Sequence, residues 1–241
     1  MSETLSTLHN TLALFFDAFA RVRVMEPHPA DRQDIVQYDP AGLTSFMDSL
    51  TLALETHRSS APLFDPWAVA AIGQKEVANT RVLAWLLDPK GSHGFGALAL
   101  QALLGKILPV AFHTCRVSAE ALPDGKSSER VDIVIDADTF YLLIEAKIKA
   151  GEQPDQLARY AAAATRRAGK RPSAIVFLTP DGRLPRTLSC SENTYCISWK
   201  KLARVLEHGL RPYFREPLEK PPGRHMAEQA ARRFLHHIRQ F

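Results

Sequence analysis

The sequence predicts an α/β fold in which a central mixed β-sheet is flanked by helices, with helical extensions at both ends of the chain. Residues 130–149, RVDIVIDADTFYLLIEAKIK, contain two apolar runs separated by a short polar turn, which is typical of two adjacent strands. Helical and strand patterns alternate on either side of this segment, as in α/β proteins. With 46% hydrophobic residues among 241, the chain can bury a substantial core.

The first 73 residues are predicted to form a helical extension. Apolar residues recur at helical spacing in 4–22 and again in 42–57, so an amphipathic helix is expected in each. Residues 59–66 are expected to be a linker. Packing of these helices on each other or on the core is favoured over a dimer interface.

The core is predicted to span residues 74–210. Its first helix lies in KEVANTRVLAWLLDP, where Pro89 ends the helix. The core-like positions of that helix are Val77, Leu83, Ala84 and Leu87. Further helices are expected at 95–108, 151–169 and 199–210, and strands at 112–122, 131–136, 140–149, 173–179 and 195–199. This order of elements favours a mixed sheet.

Residues 211–241 are predicted to be a proline-rich linker and a last helix that packs on the core. The helix is expected at 225–240. Its apolar stripe consists of Met226, Ala230, Phe234 and Ile238.

The composition excludes several classes of protein. Three cysteines without paired metal-ligand spacing are typical of a reduced intracellular protein. No signal-peptide pattern is present, and no apolar run approaches the roughly 18 residues of a spanning helix, so a cytoplasmic protein without a membrane partner is expected. The absence of P-loop and Rossmann glycine patterns argues against a nucleotide-hydrolysing module.

Positive charge is concentrated at the end of the chain. The formal net charge is +4, but from Lys200 onward ten Lys and Arg residues face four Glu, a net of +6. Such a basic segment is compatible with binding to nucleic acid, although an ordinary solvated surface explains it equally well.

Three charged residues interrupt the two central strands. If these strands form a hairpin, Asp132 lies across from Glu145, and Lys147 follows one side-chain repeat later. Ionised groups are costly to bury, so they must be paired, solvated in a cleft or bound to a metal. Two carboxylates suit Mg²⁺, and a neighbouring lysine can orient water or stabilise negative charge.

Asp132 followed by Glu145-Ala146-Lys147 resembles the motif of the PD-(D/E)xK nuclease superfamily, in which an acid on one strand precedes Asp or Glu, any residue and Lys on the next. Val131 occupies the place of the name-giving proline. The run from Glu76 through AWLLDP to His93 is also similar to segments that precede the strands in one subgroup. The order of elements matches over roughly residues 74–210.

The resemblance implies a restriction-endonuclease-like core and a Mg²⁺-dependent nuclease, with Mn²⁺ as an alternative ion and DNA as the favoured polymer. It also implies roles for individual residues. The candidate catalytic residues are Asp132, Glu145, Lys147, Glu76 and Gln156. The candidate metal ligands are Asp132, Glu145, Ala146 through its carbonyl, and Glu76. The candidate nucleic-acid contacts are Lys149, His93, Tyr160, Arg166 and Arg167.

Several of these residues also have a purely structural explanation. An acid at Glu76 would favour the dipole of its helix, and His93 lies in a glycine-rich turn where it could serve only as a hydrogen-bonding residue. Gln156 and Tyr160 share a helix face, where the first could be a surface residue and the second a packing residue.

Other functions remain open on the sequence. A non-catalytic nucleic-acid-binding module on the same scaffold, acting as a subunit of a defence or repair complex, is the main alternative. A carboxylate pair could also serve a glycosidase, or the three charges could form a structural ion-pair network. Retention of all three motif residues favours the nuclease. A homodimer or a partner subunit is compatible with it.

Overall fold

The structure, a computed structural model, describes residues 39–59, 61, 64–122, 130–149, 156–183, 193–215 and 221–241, without the side chains of 156–158. The chain divides into two units, Met1–Pro62 and Leu63–Phe241. The predicted helix at 4–22 lies outside the described residues.

The described part of the first unit is helix α1, Pro40–Ser59. The side chain of Asp39 caps it by accepting hydrogen bonds from the N–H groups of Ala41 and Gly42. The helix extends the predicted range of 42–57 by two residues at each end. None of its residues is buried.

The second unit is built on a five-stranded sheet with the order β1-β2-β3-β4-β5. The strands are β1 Cys115–Ala121, β2 Val131–Ala137, β3 Tyr141–Ala146, β4 Ser173–Thr179 and β5 Thr194–Ser198. β2 is antiparallel to both of its neighbours, β1 and β3, whereas β3, β4 and β5 are parallel. The predicted α/β fold with a central mixed sheet is therefore confirmed.

Six further helices lie in the described part of this unit. They are α2 Pro66–Val69, α3 Glu76–Leu87, α4 Leu98–Ile107, α5 Gln156–Ala168, α6 Trp199–Phe214 and α7 Pro222–Ile238. Helix α5 covers one face of β3 and β4, and α3 packs on β1 and β2 from the other face. α4 and α7 pack against α6, and α7 also contacts α2. No described helix has the length and apolar character needed to cross a membrane.

The central strand β3 is buried on both faces. Leu142, Ile144 and Ala146 face the core on one side, and α5 covers the opposite face, so all six residues are buried. Strands with helices on both faces are typically apolar throughout. The strand ends at Ala146 rather than at the predicted residue 149.

Two predicted core positions are wrong. Val77 and Met226 are exposed because each lies near the N-terminal end of its helix, α3 and α7 respectively, ahead of the buried residues of that helix. The core residues of α7 are Ala231, Phe234, Leu235 and Ile238.

Helix α6 is longer than predicted, since it continues through Pro212 to Phe214. The proline falls in the last turn, where the loss of one hydrogen bond can be offset by packing. Tyr213 supplies that packing: it is buried, and its ring centroid lies 4.6 Å from that of Phe95. Phe95 itself precedes α4, which begins three residues after the predicted start.

Helices α4 and α6 approach closely where Gly209 faces Ala102. A Cβ atom added at Gly209 would lie 2.4 Å from the Cβ of Ala102 and 3.3 Å from the carbonyl oxygen of Leu98. By contrast, a Cβ atom at Gly105, also in α4, would meet nothing within 4 Å. The glycine at 209 therefore permits the contact between the two helices.

These two glycines should respond oppositely to alanine. Gly105→Ala should stabilise the protein by up to about 1 kcal/mol, the difference in helix propensity. Gly209→Ala should destabilise it by up to about 2 kcal/mol, because overpacking costs about 1–3 kcal/mol and the gain in helix propensity offsets only about 1 kcal/mol of that. Urea unfolding would measure both, and Ala102→Gly should rescue Gly209→Ala. Equal stabilisation by both substitutions would contradict the close packing.

Candidate active site

The two central carboxylates lie side by side where β2 begins and β3 ends. Ile133 pairs with Ile144 and Val134 with Leu143, so the same register extended by one residue brings Asp132 opposite Glu145. Residues directly opposite on antiparallel strands project from the same face. The sequence-based expectation that the hairpin would bring these two acids together thus agrees with the register.

Asp132 is held by the backbone of the neighbouring strand. Its Oδ2 accepts a hydrogen bond of 2.8 Å from the N–H of Ala146, the last residue of β3. This contact fixes the carboxylate at the end of the strand, one residue beyond Glu145. Ala146 therefore takes part in the site through its N–H, whereas its carbonyl remains a predicted metal ligand.

Glu145 and Lys147 form a short ion pair. Lys147 Nζ lies 2.6 Å from Glu145 Oε1, and only 2% of Glu145 is exposed. Because β3 ends at Ala146, Lys147 lies in the segment that follows the strand, yet its side chain still reaches back to Glu145.

The segment after β3 is fastened by neighbouring elements. The N–H of Lys147 donates to the carbonyl of Leu178 in β4 over 2.7 Å. The indole Nε1 of Trp199, the first residue of α6, donates to the carbonyl of Lys147 over 3.0 Å. The position of the lysine is thus set by β4 and α6 as well as by Glu145.

Glu76, the first residue of α3, binds the same segment from the other side. Its Oε1 accepts hydrogen bonds from the N–H groups of Ile148, at 3.1 Å, and Lys149, at 3.3 Å. The start of α3 is itself held by Asn79, whose buried side-chain amide donates to the carbonyls of Gly73 and Lys75. Glu76 is therefore part of the site's framework and does more than favour the helix dipole.

Burial and a neighbouring acid raise the pKa of Asp132. Burial and then the charge of Glu145 raise it to about 7, against the N–H of Ala146 and the ammonium of Lys147, which lower it. Glu120 contributes a smaller upward effect. At neutral pH, the protonated and ionised forms of Asp132 are therefore both populated. A nearby positive charge would favour the ionised form.

The same acids act on Lys147 in the opposite sense. Burial lowers its pKa, but the carboxylates of Glu145, Asp132 and Glu76 outweigh burial and raise the pKa overall. The ammonium group is therefore protonated at neutral pH. The electrostatic influence of all three acids on one amine indicates that they converge on it.

The chemistry of the carboxylates fits a divalent metal ion. Mg²⁺ prefers oxygen ligands and commonly takes one or two carboxylates, completing its shell with water and phosphate. Asp132 and Glu145 provide two, and their mutual repulsion would be relieved by a cation. Within the described ranges, no group of three or more His, Cys, Asp or Glu side chains is placed to hold an ion.

His93 does not fit its predicted contact with nucleic acid. It is 1% exposed, its Nδ1 accepts from the N–H of Phe95 at 2.8 Å, and its Nε2 lies 2.9 Å from the carbonyl of Asp88. Burial lowers its pKa, so the ring is neutral and Nε2 donates. The histidine closes the turn after α3, and both ring nitrogens are used there.

Tyr160 is also inward-facing. It is 2% exposed, and its hydroxyl donates a 2.6 Å hydrogen bond to the carbonyl of Arg130, just before β2. The predicted contact with nucleic acid does not fit this position. Tyr160 instead ties α5 to the start of the strand that carries Asp132.

The remaining predicted residues are distributed around and away from the site. Lys149 is exposed at the end of the segment that follows β3. Gln156 is the first residue of α5, but its side chain lies outside the described part. Arg166 and Arg167 lie in the last turn of α5. The carbonyl of Arg167 accepts from Arg171, whose guanidinium also binds Asp136, about 13 Å along β2 from Asp132. The structure therefore does not bring the two arginines to the carboxylates.

Three contributors to the site escaped sequence analysis. Trp199 and Asn79 act through backbone carbonyls that no motif identifies. Glu120 falls opposite Asp132 in the β1–β2 register, has a φ of 52°, and pairs with Arg130 at 3.2 Å. A left-handed backbone in a glutamate is uncommon and marks an irregularity beside the site. Only the alternation of β1, in which the polar residues Arg116, Ser118 and Glu120 share a face, could have pointed to it.

Comparison with known proteins agrees with this geometry. A family model for the PD-(D/E)XK nuclease superfamily matches residues 64–221. Since the match covers more than half of the chain, the protein belongs to the PD-(D/E)XK nuclease superfamily. The same comparisons found no curated protein and no solved structure that matches this chain. The five-stranded mixed sheet flanked by helices is a restriction-endonuclease-like core, as predicted.

The raised pKa of Asp132 predicts a pH-dependent stability. The folded chain keeps this proton up to about pH 7, whereas an unfolded aspartate has a pKa of 3.8, so the free energy of unfolding should fall as pH rises between these values. Asp132→Asn removes this effect while its amide oxygen can still accept from Ala146. We expect the variant to be more stable than the native protein by at least about 1 kcal/mol at pH 8 and equal to it near pH 4.

Urea unfolding in EDTA at several pH values would measure the difference. Asp136→Asn is the matched control, since Asp136 lies on the same strand but is exposed and pairs with Arg171 at 2.7 Å. It should gain no stability at pH 8. A pH-independent difference for Asp132→Asn would contradict the raised pKa.

Proposed function

We propose that this protein is a divalent-metal-dependent nuclease that hydrolyses phosphodiester bonds of nucleic acid, with DNA as the favoured polymer. The protein belongs to a nuclease superfamily, and one observation on its site carries the proposal. Asp132 and Glu145 face each other across β2 and β3, and the ammonium of Lys147 lies 2.6 Å from Glu145. Such a set can support metal-assisted hydrolysis of a phosphodiester, because the carboxylates can bind the ion and the ammonium can stabilise negative charge on phosphate.

Asp132 and Glu145 would hold the metal ion, Mg²⁺ or Mn²⁺, with the Ala146 carbonyl and Glu76 as further proposed ligands. When bound, such an ion lowers the pKa of water and stabilises negative charge on phosphate oxygens. The proposal gives Glu76 a second task, since its Oε1 already fastens Ile148 and Lys149.

Lys147 is proposed to act as a hydrogen-bond donor and as a source of positive charge, and not as a base. Its raised pKa keeps the ammonium protonated at neutral pH. A protonated amine can donate a hydrogen bond to an attacking water, or to a phosphate oxygen whose negative charge grows in the transition state. Its ion pair with Glu145 and the bonds of its backbone to Leu178 and Trp199 would hold it ready for either contact.

Other aspects of the sequence-based prediction belong to the same proposal. Lys149 is exposed next to the site and is proposed to contact the phosphate backbone, which would make binding salt-dependent. A cytoplasmic location and assembly as a homodimer or with a partner subunit are also proposed.

Cleavage assays test the catalytic roles. We expect Asp132→Asn, Glu145→Gln and Lys147→Met each to reduce cutting by at least about 10²-fold, because each removes a charge used in the transition state. Supercoiled plasmid, linear duplex, single-stranded DNA and RNA would be incubated with Mg²⁺, Mn²⁺ or EDTA. Asp136→Asn, at the exposed far end of the same strand, should keep full activity.

The outcomes separate the candidate functions. Loss of cutting in the three variants and in EDTA supports the nuclease and identifies its polymer. Binding without cutting in the native protein would favour the non-catalytic module instead. Full activity of all three variants would disprove the proposed roles of the residues.

Metal binding can be measured without any substrate. Mg²⁺ or Mn²⁺ should raise the melting temperature of the native protein, by an amount equivalent to about 2.7 kcal/mol at 100 times the dissociation constant. The increase should be larger at pH 8 than at pH 5, because protonated Asp132 is a poor ligand. In Glu145→Gln the increase should be largely lost. An equal increase in that variant would place the metal elsewhere.

A further inference from the structure

A row of basic side chains follows one stripe of helix α6. Arg204, His208, Arg211 and Arg215 are separated by four, three and four residues, the spacing that places side chains on one face of a helix. All four are exposed, whereas the opposite stripe of α6 is buried. This row lies outside the carboxylate site and has no part in the chemistry described above.

The row forms one wall of a cleft. The cleft has a volume of about 470 Å³, and α7 contributes Arg232 to it. The guanidinium of Arg232 lies 4.1 Å from the centroid of the Phe214 ring, which also lines the cleft. The basic side chains therefore surround a concave surface with an aromatic ring in it.

The positive charge of the cleft is not neutralised by its acids. Glu207, the acid on the cleft wall, pairs with Arg239, and Glu228 pairs with Arg232 at 2.9 Å. In the described part of the chain, Arg204, Arg211 and Arg215 form no ion pair with a carboxylate. Three guanidinium groups thus remain available to an anion from outside.

We propose that this cleft binds the phosphodiester backbone of a nucleic acid. Arg204 and Arg215 are eleven residues apart, which corresponds to about 16 Å along the helix axis. One strand of a duplex presents a phosphate about every 3.4 Å of axis, so the row matches a stretch of about five nucleotides. A single phosphate would occupy only one end of it. Arginine suits this contact because its planar group binds phosphate in a bidentate manner.

The cleft is connected to the carboxylate site by the helix itself. α6 begins at Trp199, whose indole binds the carbonyl of Lys147. Arg204 follows about 8 Å along the helix from Trp199, and Arg215 about 24 Å. The row therefore begins near the carboxylate site and leads away from it along α6. The inference that one polymer contacts both rests on the proposed function, whereas binding of backbone to the cleft can be tested alone.

The test compares two triple variants of the full chain. Arg204→Gln/Arg211→Gln/Arg215→Gln removes the row, and Lys90→Gln/Arg116→Gln/Lys170→Gln removes equal charge from positions that do not line the cleft. Among them, Arg116 pairs with Asp136 in the β1–β2 register, at the end of β2 away from Asp132. All six side chains are exposed, so both variants should fold, as thermal unfolding would verify.

Affinity for a labelled duplex and a labelled single strand would be measured by fluorescence anisotropy in EDTA across a range of salt concentrations. We expect the row variant to bind at least about tenfold more weakly and the slope of log K against log salt to fall by about 2–3, since each lost phosphate contact removes about 0.7–0.9. The control variant should change both quantities much less.

Three results would overturn the inference: unchanged affinity, an equal loss in both variants, or loss of inorganic triphosphate binding with nucleic-acid binding intact, which would indicate a site for small anions. Cleavage assays distinguish this from failure of the proposed function. If the protein cuts no polymer but the row variant binds more weakly, the binding role of the cleft is supported and the nuclease proposal fails. If the protein cuts and the row variant binds normally, the nuclease proposal is supported and the binding role of the cleft fails.

Discussion

The repulsion between Asp132 and Glu145 is the constraint on which the rest of the site depends. Two carboxylates are held opposite each other where β2 begins and β3 ends, and burial adds to their repulsion. The structure offsets this with the ammonium of Lys147 on one acid and the N–H of Ala146 on the other. An arrangement that opposes folding at neutral pH is expected where function rather than stability selects the residues.

Four elements hold four consecutive residues after this pair. Ala146 is bound by Asp132 of β2, and Lys147 by Leu178 of β4 and by Trp199 of α6. Ile148 and Lys149 are bound by Glu76 of α3. The segment after β3 thus acquires a defined position, because the N–H groups of Lys147, Ile148 and Lys149 and the carbonyl of Lys147 each have a partner on a rigid element.

The features of the fold that depend on a local sequence pattern could be predicted. The period of two and the short turn were enough to place Asp132 across from Glu145, and continuous apolar runs identified β3 and β4. The sequence does not reveal partners that are backbone carbonyls far away in the chain, such as that of Arg130 for Tyr160. Burial of His93 was missed although its partners Trp85, Asp88 and Phe95 are close in sequence, because the irregular turn that brings them together has no periodic pattern. The end of β3 was missed because the apolar pattern continues to Ile148, beyond the last paired residue.

The dependence of Lys147 on β4 and α6 has a consequence for folding. The β1–β2–β3 meander can bring Asp132 and Glu145 together through contacts that are short in sequence, whereas the bonds from Leu178 and Trp199 to Lys147 span 31 and 52 residues. Contacts between distant residues require closure of long loops and form late. We therefore expect the lysine to be fixed only after the parallel half of the sheet has assembled. A nascent or partly folded chain would then carry its acids without a positioned lysine.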